Sequence, residues 1–115
     1  MFDNSYLITT VAGTCSTTGG YADGVGTQAL FAGGIRGIAL SAAGDVAFIA
    51  DTFNNCLRYL VVATRQVTTI AGTASSGRSD GQGTLAAFNN PWRLSVDNVG
   101  GLGLVVRTRG QALSW

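Results

Sequence analysis

Apolar residues in this chain come in short runs near 6–12, 36–41, 45–50, 56–62, 66–71, 92–97 and 102–107. Each run is rich in Val, Ile, Leu, Thr, Phe or Tyr and is closed by Gly, Asp or Asn, the pattern of short strands between turns. No stretch sustains the three-to-four-residue apolar period of a helix. The connections Ala42-Ala43-Gly44-Asp45 and Ala63-Thr64-Arg65 are too short for parallel crossovers and suit antiparallel hairpins. The pattern predicts an all-β chain built from antiparallel four-stranded sheets.

The runs repeat. Val11-Ala12-Gly13-Thr14 returns as Ile70-Ala71-Gly72-Thr73, and each copy leads into Asp-Gly-x-Gly-Thr and then Ala-x-Phe, from Asp23 to Phe31 and from Asp80 to Phe88. Gly37-Ile38-Ala39-Leu40-Ser41 aligns with Arg93-Leu94-Ser95-Val96-Asp97, and the segment from Gly44 to Asp51 with that from Gly100 to Arg107. The offset drifts from 59 through 57 to 56, so insertions fall in connections, where length changes are tolerated, and spare the strands. Such a period belongs to propeller blades and solenoid units.

In this order the elements resemble the NHL repeat, a β-propeller blade. They stand here as Asp23-Gly24, Ala29-Leu30-Phe31, Gly37-Ile38-Ala39, Gly44 to Asp51, Asn55-Cys56-Leu57-Arg58 and Val67-Thr68-Thr69-Ile70-Ala71-Gly72. The resemblance runs from about Tyr6 to Arg107 and implies an incomplete propeller, an open arc of about two blades. Residues 36–72 would form one complete blade, 6–12 the outer strand of the blade before it, 73–91 an inter-blade loop, and 92–107 the first strands of the next. A closed propeller takes about four to eight blades, more than about 115 residues supply. Open edges and an uncovered apolar blade face then follow, so the chain is expected either as part of a longer array or as a self-associating unit.

Composition narrows the chemistry. The seven bases are all Arg, the six acids are all Asp, and there is no His, for a net charge of +1. Dispersed arginines form no basic stripe, so no nucleic-acid partner is indicated. Without His the chain lacks the usual zinc ligand and general base, which removes Ser-His-Asp and Cys-His catalysis. No apolar run is long enough to span a bilayer, and residues 1–5 show neither the basic start nor the apolar stretch of a leader. Cys15 and Cys56 make no disulfide framework; unpaired thiols with Cys56 in the core are the expectation, and a disulfide is the alternative.

Four residues are candidates for a ligand surface. Asp51, ending the second strand of the blade beside Asn54 and Asn55, can accept backbone N–H bonds or pair with Arg58, or it can face a ligand. Its alignment partner in the second repeat is Arg107, so its role is not reproduced there. Arg36 and Arg93 recur at the entrance of the innermost strand, with Trp92 alongside, and either bridge to loop aspartates or anchor a ligand. The glycine loops from Asp23 and Asp80 carry one carboxylate each and precede strands, which argues against calcium and phosphate sites. Glycines with positive φ account for them. No cofactor or metal is expected.

The resemblance implies a non-catalytic scaffold that binds a protein or other ligand through its loops. The alternative is part of a propeller-fold lyase or hydrolase whose catalytic and metal residues lie in other blades.

Overall fold

The computed structural model describes residues 7–14, 19–97, 103–108 and 111–114. From Gly37 to Gly72 the chain folds back and forth as a meander. Strands β2 (Gly37–Leu40), β3 (Val46–Asp51), β4 (Cys56–Val61) and β5 (Gln66–Gly72) pair antiparallel in sequence order, and the two-residue β1 (Gly24–Val25) adds to the free edge of β5. A second sheet follows the order β6 (Arg93–Asp97), β7 (Gly103–Thr108), β8 (Gln111–Ser114). There is no α-helix among the described residues, only three single 3-10 turns. The fold is all-β and antiparallel.

The central strands are apolar on both faces, and each face builds its own core. Phe48, Ala50, Leu57 and Ala71 point to one side, where Phe88 closes over them and Tyr59, Ile70, Ala86, Leu94 and Val96 pack around. Ala47, Ile49, Leu60 and Val67 point to the other side, where Ala29 is buried and Ala12 and Phe31 pack. Between Leu57 and Arg58 the pairing with β5 slips, from Leu57↔Ala71 to Arg58↔Thr69. Ile70 is the extra residue of this bulge, and the slip lets neighbours Ile70 and Ala71 serve the same core.

The two glycine loops have one geometry. Gly26 and Gly83 both sit at φ 59, each opens a 3-10 turn, and Ala29 and Ala86 donate their amides back to Gly26 and Gly83. The bridges Ala22↔Leu30 and Ser79↔Ala87 close both loops at equivalent places. The sequence repeat is thus a repeat of backbone conformation, with left-handed glycines where a side chain would be strained.

Three expectations need correction. Of the strand expected at 6–12, Tyr6 lies outside the described residues and 7–11 have no regular structure. A strand is made by a ladder of paired backbone hydrogen bonds, and this segment joins none among the described residues: Gly13 donates its amide to Gly26, and residues 9–12 line a cleft beside Gly37 and Ile38. The strands β1 and β8 were not expected; two residues carry no readable period, and Gln111–Ser114 lies beyond the aligned repeat. The aligned partner of Asp51 is Thr108, not Arg107. Gly37 pairs with Ala50, and its repeat counterpart Arg93 pairs with Arg107, so Arg107 corresponds to Ala50 and the extra residue sits in the connection 98–102.

Candidate functional site

Two polar clusters flank the ends of β2, β3 and β4. The inner one centres on Arg58, which β4 carries on the second face of the sheet opposite Ile49. Arg58 is completely buried, a position that is costly for an arginine unless its charge is paired and most of its donors are bonded. Its Nη1 donates to Asp51 Oδ2 at 2.8 Å and to the Leu30 carbonyl at 3.0 Å. Its Nη2 donates to the Ala22 carbonyl and to Asp23 Oδ1 at 3.1 Å. The guanidinium also lies over the rings of Phe31 and Tyr21, at 4.9 and 5.3 Å from their centroids. Nε has no hydrogen-bond partner.

Asp51, equally buried, accepts from Arg58, from Asn54 Nδ2 at 2.8 Å and from the amide of Ala32 at 3.0 Å. The pair therefore fastens the glycine loop onto the sheet at Ala22, Asp23, Leu30 and Ala32. The carboxylate is spent on these internal partners, and Asp51 presents nothing to solvent. Two neighbours on the same turn fasten the other connection: Thr52 Oγ1 donates to the Pro91 carbonyl at 2.6 Å, and Asn55 Oδ1 accepts from the Asn90 amide at 2.9 Å. The β3–β4 turn is a clasp that holds the loop before the first sheet and the entry to the second.

Cys56 faces this clasp, unpaired and buried. Desolvation pushes its thiol up to about 12, and the charge of Asp51 adds to the effect. Because the folded value exceeds the unfolded one, the neutral thiol favours the native state at every pH below about 9, and this contribution is lost as pH rises from about 9 towards 12. Iodoacetamide at pH 8 should leave Cys56 unmodified in the folded chain and modify it in urea; rapid native labelling of Cys56, mapped by peptide mass, would contradict its burial. Cys15 lies outside the described residues.

The outer cluster is exposed. The Arg36 guanidinium lies over the Phe53 ring at 5.7 Å, and Phe53 is 54% exposed. A Cβ on Gly37 would stand 2.6 Å from the Trp92 carbonyl oxygen and 3.2 Å from Arg93 Cα, so the starts of β2 and β6 touch backbone to backbone. Arg36, Trp92 and Arg93 accordingly stand together on one edge with exposed side chains, and Phe53 joins them through Arg36. Sequence reasoning did not single out Phe53, nor Asp23, Tyr21 and Phe31 around Arg58. Their partners lie far along the chain, and the one available signal was that Asp23 and Phe31 belong to the repeated motif. Among the described residues no group of three His, Cys, Asp or Glu could hold a metal ion.

No family model and no curated protein matches the sequence. Solved structures do. A structural genomics protein of unknown function from Bacteroides thetaiotaomicron VPI-5482 superposes with a TM-score of 0.76 at 29% identity, over 90% of this chain and 26% of that one. An auxiliary nutrient binding protein from the same strain gives 0.66 at 27% identity, over 84% and 25%. A further auxiliary nutrient binding protein, from Bacteroides ovatus ATCC 8483, gives 0.69 at 23% identity over 84% and 25%, a likeness of fold alone. The chain spans about a quarter of the length of these proteins.

Proposed function

We propose that this chain is an NHL-type propeller segment that works as a non-catalytic binding scaffold, with Arg36, Trp92 and Arg93 as the ligand-facing residues. The observation that carries the reading is the exposed edge where the Arg36–Phe53 stack meets Trp92 and Arg93. Two guanidinium groups beside two exposed aromatic rings suit a partner that offers carboxylates next to planar apolar groups, as an acidic, aromatic-containing protein loop does. Resemblance to part of a nutrient binding protein supports binding over catalysis. Asp51 enters this reading as a positioning residue, since the turn it anchors carries Phe53.

The probe is a peptide alternating Glu and Tyr, titrated into labelled chain and followed by NMR. Shifts should concentrate at Arg36, Phe53, Trp92 and Arg93, and Trp92→Ala should weaken binding at least about tenfold, as loss of an aromatic anchor does. Unmoved signals at these four residues, or a Trp92→Ala chain that binds like the parent, would contradict the reading.

A further inference from the structure

Gly33 and Gly34 turn the chain from the first glycine loop towards β2, and neither has the positive φ that calls for glycine. Alanine would therefore fit the backbone at both positions. Their surroundings differ. A Cβ on Gly33 would meet nothing within 4 Å. A Cβ on Gly34 would run into Cε2 of the Phe53 ring and stand 2.6 Å from its Cδ2 and 3.0 Å from its Cζ. The ring thus rests on the bare backbone of Gly34, in the space a side chain would take. The same ring carries the Arg36 guanidinium 5.7 Å from its centroid, close to the limit of about 6 Å at which an aromatic face still holds a cation. A small displacement of the ring is enough to lose that contact.

The second repeat supplies a comparison within the chain. At the offset of 57 that pairs Phe31 with Phe88 and Arg36 with Arg93, Gly34 aligns with Pro91. There the connection from β7 to β8 is Arg109-Gly110, where the first sheet has Thr52 to Asn55, and it brings no aromatic residue. The bare glycine and the aromatic ring occur together in one repeat, and both are missing from the other. We infer that Gly34 is a positioning residue for the exposed edge: its missing side chain seats Phe53, and the seated ring fixes where Arg36 presents its guanidinium. An arginine held in place in advance loses less side-chain freedom when it engages a carboxylate. That consequence rests on the binding reading given above, whereas the seat itself does not.

The Arg36 side-chain N–H signal in a proton–nitrogen spectrum tests the seat with no partner present, because a ring lying against a guanidinium displaces its resonance. Gly34→Ala should move that signal to the position it has in Phe53→Ala, and Gly33→Ala should leave it where the parent has it. Adding Gly34→Ala to Phe53→Ala should change nothing further, since a residue that acts only through the ring then has nothing to act on. Titration with the peptide alternating Glu and Tyr reads the consequence. Gly34→Ala and Phe53→Ala should each weaken binding about threefold, the scale of one exposed cation–π contact. An Arg36 signal unmoved by Gly34→Ala, or moved again when Gly34→Ala is added to Phe53→Ala, overturns the inference. So does a Gly34→Ala chain that binds as tightly as a binding parent. A parent that ignores the peptide, with the Arg36 signal following the ring as expected, supports the seat and overturns the binding reading instead.

Discussion

Gly72→Val should give no folded protein. Gly72 ends β5 at φ +83, a left-handed conformation that a β-branched residue adopts only under strain. A Cβ there would stand 2.5 Å from the Asn55 carbonyl oxygen, 2.8 Å from Phe88 Cδ2 and 2.9 Å from Cys56 Cα. Two of these three atoms are backbone of the clasp and cannot step aside without breaking the β3–β4 turn. The third belongs to the ring that closes the first core, and emptying such a site costs about 3–5 kcal/mol by itself. Added to the backbone strain, this consumes most of the roughly 5–15 kcal/mol that holds a small domain together. The check is amide dispersion in a proton–nitrogen spectrum. Gly44→Val is the control, because Gly44 shares the positive φ of +73 but has open space around it. It should fold with a loss of only about 1–2 kcal/mol. Dispersed signals from Gly72→Val would show that the packing around Phe88 yields more readily than the geometry allows.

Arg58→Met should be the costliest change in the polar clasp. Methionine keeps the apolar stem but removes four hydrogen bonds and two ring contacts, and it leaves the fully buried Asp51 carboxylate without its cation. Breaking a buried pair from one side typically costs about 3–5 kcal/mol, most of it the penalty for the stranded charge. Asp23 contributes little to that figure, because its side chain is 46% exposed and water screens it. Urea denaturation measures the loss. Adding Asp51→Asn to Arg58→Met should recover part of it, since the second change removes the stranded charge. A single variant as stable as the parent would mean that the pair carries no net stability.

The strands β2 to β7 were legible because short runs rich in Val, Ile, Leu, Thr, Phe or Tyr between turn residues have few other solutions. The loop geometry at Gly26 and Gly83 was legible because it occurs twice. What stayed hidden depended on distance along the chain. Nothing local to Arg58 says that Ala22, Asp23 and Leu30, about thirty residues away, converge on its guanidinium. The register of Arg107 was hidden for a different reason, since a one-residue slip leaves an apolar run looking the same while exchanging its faces. Of the four candidate residues, Arg36, Trp92 and Arg93 share an edge, while Asp51 is drawn inside by an arginine whose burial the sequence did not announce.

The Arg58–Asp51 pair holds the first glycine loop against the sheet. The most direct test is amide hydrogen exchange at Ala32, which lies outside any strand and donates its N–H to Asp51 Oδ1. In the parent chain that amide should exchange as slowly as amides of β3 and β4, and in Arg58→Met it should exchange at the rate of an open loop. Fast exchange at Ala32 in the parent would contradict this, because the loop would then be free of the Arg58–Asp51 pair.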